Sequence, residues 1–379
     1  MTRQSQQPVK MVEPLRVEAD PSAGARTSAG IAVWMALLSG MQASATAETQ
    51  RAPSHAFDDG FPGAPRGTPQ LPMLLSGYAA RPPWAVAGVD YFVGYPAGMV
   101  LKDPSAIGTA GVSVDPAHRI VHVTGSNVTL DGYDFAMAGG YGIVVQSDVS
   151  ETVIQNCHFR VGSNHLVPIH AGTQVGDLTV QYNTIDGGGG QDGKVWALAN
   201  YNGSGTFVAK FNSFFDAPAD AIDLGVGTMA TVIKYNLFVN LGTAPGSHPD
   251  AVQYAGVHST HMVEAFNTMY QPNPSGMQGI QLEAQLGSTL KNAELTNNVI
   301  VAKGSPVKMS YSIFVGQDPG PGNAIDGVLV GHNYIDFSGA YGPFYPPTGS
   351  NIAFVDNVNM VTGARIAAPP GAAGRDIVK

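Results

Sequence analysis

The chain has one cysteine in 379 residues, Cys157, so no intrachain disulfide can form. A catalytic thiol is the other use of a lone cysteine. The surrounding "VIQNCHF" reads instead as a strand in which a small sulfur side chain faces inward. Charge is scarce too: Asp, Glu, Lys and Arg make up 12%, against roughly 25% in ordinary soluble domains. Solubility then rests on uncharged polar side chains, as in β-rich exported proteins. Positive charge is the scarcer sign, with 19 Lys and Arg against 28 Asp and Glu and a net charge of −9. Phosphate neutralisation needs a basic surface, so no nucleic-acid partner is expected. A polyanionic substrate would need a metal or a local basic patch. The leader's apolar run, Ile31 to Leu38, is too short for a membrane span.

Turn formers are plentiful, with 47 Gly and 27 Pro, and 44% hydrophobic residues suffice for a large core. Residues 27 to 47, "TSAGIAVWMALLSGMQASATA", follow Arg16 and Arg26 and end in Ala43-Ser44-Ala45 and Ala45-Thr46-Ala47. That order of positive, apolar and small-residue regions is that of a secretory signal, removed near Thr46 or Glu48. Export to the periplasm, the cell surface or the medium is the expectation. A disordered cytoplasmic extension is the alternative.

Internal repetition decides the fold class. Seven strings align: "VQYNTI", "AKFNSF", "IKYNLF", "EAFNTM", "LTNNVI", "VGHNYI" and "FVDNVN". Their asparagines are Asn183, Asn212, Asn236, Asn267, Asn298, Asn333 and Asn357, separated by 24 to 35 residues. Upstream, "VIQNCHF" and "VTLDGYDF" continue the pattern with Cys157 and Tyr133 in the asparagine's place. Units of this length, without helical periodicity, suit a coil of three short strands whose apolar face is buried only by stacking on its neighbours. The expectation is an all-β solenoid of about nine coils. A buried asparagine at one corner would hydrogen-bond along the stack.

These residues resemble the asparagine ladder of right-handed parallel β-helices, the pectate-lyase-like superfamily. The resemblance covers about residues 110 to 365 and implies the fold but no single reaction, since that fold hosts lyases, hydrolases, epimerases, tailspikes and adhesins. The expected organisation is a leader over 1–47, a further leader and N-terminal cap over 48–109, the β-helix over 110–366 and a loose tail over 367–379. The cap is expected to cover the first coil's open end.

A second strand recurs between the ladder segments: "YGIVVQ", "VPIHAG", "VWALAN", "DAIDLG", "DAVQYA", "QGIQLE" and "YSIFVG". Alignment puts Ile143, Ile169, Trp196, Ile222, Val252, Ile280 and Ile313 in one inward column. Between inward columns, alternation turns His170, Ala197, Asp223, Gln253, Gln281 and Phe314 outward. Two places before the first inward column stand Asp220, Asp250 and Gln278. Glu283 extends the third strand, His248 enters from "APGSHPDAVQYAG", and Lys194 lies at the margin.

A purely structural polar ladder is one account of this face. Stacked like charges repel, however, which favours a functional one. Strand stacking would set the Asp220 and Asp250 carboxyls about 5 Å apart, the spacing of retaining glycoside hydrolysis. His248 or Asp223 could assist, and Gln253, Gln278, Gln281, Glu283, His170 and Lys194 would hold the sugar. Calcium is the one cofactor the oxygen-rich set suggests. A lyase would need a base, for which His170, His248 and Lys194 are the candidates. The function expected is therefore binding and cleavage of a polysaccharide, by hydrolysis or elimination, or binding alone. Elsewhere, "DGGGGQDGKVW" lacks the ending of a phosphate loop. His258 and His261, three apart on a strand, are expected to face opposite ways.

Overall fold

A computed structural model describes residues 67–372, except 163, 165, 189–193, 273–277, 303–308 and 337–339. The apolar leader, its cleavage motif and the end of the tail lie outside the described residues. Those described fall within one contact unit spanning Ala52–Lys379. None of their helices is long and apolar enough to cross a membrane.

The fold is all-β and built from three sheets. Sheet A holds nine strands, from Val112–Asp115 to Ile313–Gln317; sheet B holds nine, from Thr129–Asp131 to Ser350–Val355; sheet C holds eight, from His158–Arg160 to Val358–Asn359. Over most of its length the chain visits A, B and C in turn and returns one strand further along each. Among the described sheet strands every pairing is parallel except the first, Val112–Asp115 against Ile120–Val123. This topology is compatible with a parallel β-helix.

The corner between B and C is the most regular element. Residues 182, 211, 235, 266, 297, 332 and 356 all have left-handed backbone, and each is followed by a ladder asparagine. All seven asparagines are buried. Asn236 shows the arrangement: Oδ1 accepts from the backbone N–H of Asn212 at 2.9 Å and from its Nδ2 at 3.0 Å. Its own Nδ2 donates to the Ala209 carbonyl at 2.9 Å and to Asn267 Oδ1 at 3.0 Å. All four bonding positions of the amide are filled, which allows it to be buried without cost. The ladder runs without a break from Asn183 to Asn357. Cys157 extends it: its N–H donates to Asn183 Oδ1 at 2.9 Å, and its sulfur accepts from the Tyr133 N–H at 3.4 Å. Burial pushes this thiol up to about 12.

Four of the left-handed residues are Tyr or Phe, for which this backbone costs about 1 kcal/mol or more each. Tyr182, Phe211, Tyr235 and Phe266 offset this by stacking at ring separations of 5.5, 4.8 and 5.3 Å. Residues 67–102 lie along this side. The Ala80 N–H reaches the Met360 carbonyl, Trp84 meets Phe266 and Tyr334, Gly94 bonds Phe211, and Lys102 bonds Gly132. The segment thereby covers Leu237, Val299 and Val301 on the outer side of sheet C. At the end of the segment expected to cap the first coil, Ile107 packs against the core beside Val112 and Val114 of the antiparallel first strand.

Candidate functional site

In sheet A the inward residues Ile222, Val252, Ile280 and Ile313 form one column, and Leu224, Tyr254, Leu282 and Val315 a second. Between them the outward column runs Asp223, Gln253, Gln281, Phe314, as alternation requires. One register differs from expectation. Ala199, Asn200 and Tyr201 pair with Ile222, Asp223 and Leu224, so Ala197 and Trp196 do not hold the assigned columns. The segment "VWALANY" has apolar residues in both phases, and an odd shift exchanges the faces. The structure takes the phase that buries Tyr201, exposes Trp196 by 49% and turns Asn200 outward. Lys194 precedes this strand, and Ala197 occupies the position beside Asp220. The outward column is therefore His170, Asn200, Asp223, Gln253, Gln281, Phe314.

The second difference concerns the aspartates. Asp220, Asp250 and Gln278 share the parity of the inward columns, and all three are buried, Asp250 completely. They are not part of the exposed face. Asp220 acts along the stack as the asparagines do, its Oδ1 accepting from the Asp250 N–H at 2.8 Å. Among the described residues neither Asp250 oxygen makes a well-formed hydrogen bond; the Gln278 N–H lies beside the carboxyl, and His248 Nδ1 stands 3.8 Å from Oδ2. Burial, and then the charge of Asp220, hold the Asp250 carboxyl well above the usual range; burial raises Asp220 likewise. Burial favours the neutral form of both carboxyls and withdraws them from the surface that a sugar above the sheet would meet.

The carboxyls that do face outward are Asp223 and Glu283. Asp223 accepts from Asn200 Nδ2 at 2.9 Å, and Asn202 Nδ2 donates to Asn200 Oδ1 at 2.6 Å. Burial raises Asp223, and the Asn200 hydrogen bond opposes the shift. Glu283 Oε2 accepts from Gln281 Nε2 at 2.8 Å. Its carboxyl is pushed up to about 7, by burial first and then by the charge of Asp318. His170 lies beside Asn200 and is lowered by burial, so it is neutral at physiological pH. Gln253 stands between Asp223 and Gln281.

No family model matches this chain, and neither the curated proteins nor the solved structures provide a match.

Three features were not anticipated from the sequence. Asn200 and Asn202 were hidden by the register of "VWALANY". His258 and His261 both face solvent, because a bulge between them shifts the pairing so that Met229 meets Ser259 and Ala230 meets His261. Glu264 occupies the inward column between Ile233 and Leu295, wholly buried. Neither Glu264 oxygen makes a well-formed hydrogen bond; the Tyr254 hydroxyl stands beside it and bonds Thr231 Oγ1 at 2.8 Å. Its signal was "MVEAFN", with glutamate where the other repeats carry Val, Ala, Ile, Leu or Phe. Among the described residues no group of three or more His, Cys, Asp or Glu side chains is placed to hold a metal ion.

Proposed function

We propose that the chain is an exported right-handed parallel β-helix of the pectate-lyase-like kind that binds a polysaccharide along the outer face of sheet A and hydrolyses it there. The fold reading rests on the rotation through three parallel sheets, the unbroken asparagine ladder and the strong right-handed preference of parallel crossovers. One observation carries the functional reading: Glu283, on the outward face and hydrogen-bonded to Gln281, keeps its proton to about pH 7. A carboxyl with that affinity suits proton donation to a glycosidic oxygen. Asp223 is the complementary base. It lies two strands along the stack and two residues along the strand, about 12 Å away at the backbone, far wider than the separation of retaining enzymes and beyond the usual span of inverting ones unless the side chains lean together.

Elimination is the weaker reaction, because the sheet A strands from Gly142–Val145 to Ile313–Gln317 carry no lysine or arginine to stabilise the charge that develops on a uronate carboxylate. Binding without cleavage is a second reading. The internal hydrogen bonds of Asn200 to Asp223 and of Gln281 to Glu283 favour it, since a structural ladder would make the same ones.

Incubation with a polysaccharide panel, following reducing ends and the absorbance of unsaturated products, tests all three. Reducing ends without unsaturated products, abolished in Glu283→Gln, are expected. Binding with no product from any substrate would leave the glycan-binding reading alone. No binding and no product would overturn both.

A further inference from the structure

The outward column changes character at its C-terminal end. After Gln281 it continues as Phe314 and then Tyr345, through the bridge between Ile313 and Phe344. The two rings stack at 4.1 Å with their planes 29° apart. Tyr311 meets Tyr345 edge-on at 5.4 Å, and Tyr341 lies 5.6 Å from Tyr311 with 73% of its surface exposed. Gly316 makes this arrangement possible. A methyl group there would sit 2.4 Å from the Phe314 ring, so the ring lies over bare backbone. Gly316 pairs with Glu283, which puts the aromatic surface one strand from the proposed acid.

The described strands of this face lack positive charge. No lysine or arginine occurs in the seven sheet A strands from Gly142–Val145 to Ile313–Gln317. Its ionisable outward groups are Asp223, Glu283 and the neutral His170, with Asp318 beside Glu283. An anionic polymer would meet the Asp223 and Glu283 carboxylates with no cation in these strands to offset them, Lys194 standing only at the margin. An uncharged sugar would meet amides along the ladder and a flat apolar surface at its end, where the C–H-bearing face of a pyranose can lie on a ring.

We propose that the outer face of sheet A takes an uncharged polysaccharide, with one sugar seated on the aromatic surface of Phe314, Tyr341 and Tyr345 next to Glu283. This rests on the glycan-binding reading above and names the substrate class of that site. It separates the protein from a polyuronate-processing role.

Affinity electrophoresis of the full chain in gels containing xylan, glucomannan, laminarin, polygalacturonate or alginate tests it. At least one uncharged polymer should retard the protein, equally at low and high salt, while the two polyuronates should not, with or without added calcium. Tyr341→Ala, at an exposed position, should weaken that retardation about tenfold, and Phe314→Ala should do the same. Gly316→Val keeps every aromatic residue but displaces the Phe314 ring, and should also weaken binding. Thermal unfolding of each variant identifies any that is misfolded, and Tyr341→Ala then stands as the deciding variant. Retardation by a polyuronate would overturn the uncharged-substrate assignment while leaving the glycan reading in place. Uncharged binding that Tyr341→Ala leaves unchanged would overturn the seat on the aromatic surface. Retardation by none of the five would overturn the glycan reading itself.

Discussion

At the residue scale, the ladder asparagines and the buried glutamate bracket what a repeat tolerates. Asn236→Ala would leave Asn212 N–H, Asn212 Nδ2, the Ala209 carbonyl and Asn267 Oδ1 each short of a partner. A loss of about 1–3 kcal/mol or more in urea unfolding is expected. Glu264 is the opposite case, a carboxyl where its column otherwise holds apolar side chains. Its folded pKa is pushed up to about 8 by burial, whereas the unfolded chain releases this proton near pH 4.3. Between those values the folded state binds more protons than the unfolded, so its contribution to stability is full at low pH and is lost as pH rises through about 8. Glu264→Gln should leave the melting temperature near its original value at pH 4.5 and raise it at pH 8. Equal shifts at both pH values would refute the assignment. Cys157 should resist thiol reagents in the folded protein and react fully in denaturant, since its thiol is buried, bonded within the ladder and shifted to about 12. If the chain is a hydrolase, kcat/KM should fall as pH rises through about 7, because Glu283 must be protonated to act as an acid. An activity still rising above pH 8 would remove Glu283 from that role.

At the scale of elements, the segment over sheet C and the strand register both show where local sequence runs out. Gly88 has φ of 73°, and a methyl group there would lie 2.6 Å from the Leu237 side chain. Gly88→Ala should lift the covering segment from sheet C and lower the melting temperature, with increased binding of a hydrophobic dye as the check. Trp84→Ala should do the same by removing the edge contacts to Phe266 and Tyr334, at a cost of up to about 3–5 kcal/mol. A dye signal unchanged in both variants would show that the segment does not shield sheet C. The strands themselves were legible, because a two-residue period marks the inward positions in nearly every coil. "VWALANY" was not, since its apolar residues satisfy either phase and only pairing with Ile169–Ala171 and Asp220–Leu224 selects one. The histidines of "VHSTHMVEA" were misplaced for a related reason: a bulge adds one residue, and counting by twos then names the wrong face.

For the whole molecule, stacking turns small local choices into long continuous features. Seven amides become one hydrogen-bonded line, four left-handed aromatics become one stack, and the outward column becomes a strip of amides and carboxyls ending in rings. The repeat and its asparagines were readable from the sequence because each coil obeys the same local rules of alternation, corner turn and amide position. Alternation also sufficed to turn Asp223, Gln253 and Gln281 outward. Burial and charge environment were not readable in this way. Asp220 and Asp250 lie in the same strands as outward carboxyl and amide residues, yet their inward parity and the chain around them enclose their carboxyls. Glu283 acquires its proton affinity from burial and from Asp318, 35 residues away and supplied by the next coil. The sequence by itself determined the all-β repeat, its period and its ladder, because those depend on interactions that recur identically in each coil. The tertiary structure alone decided which carboxyls meet solvent, what covers sheet C and where the aromatic surface forms, because each depends on neighbours that no repeat unit contains.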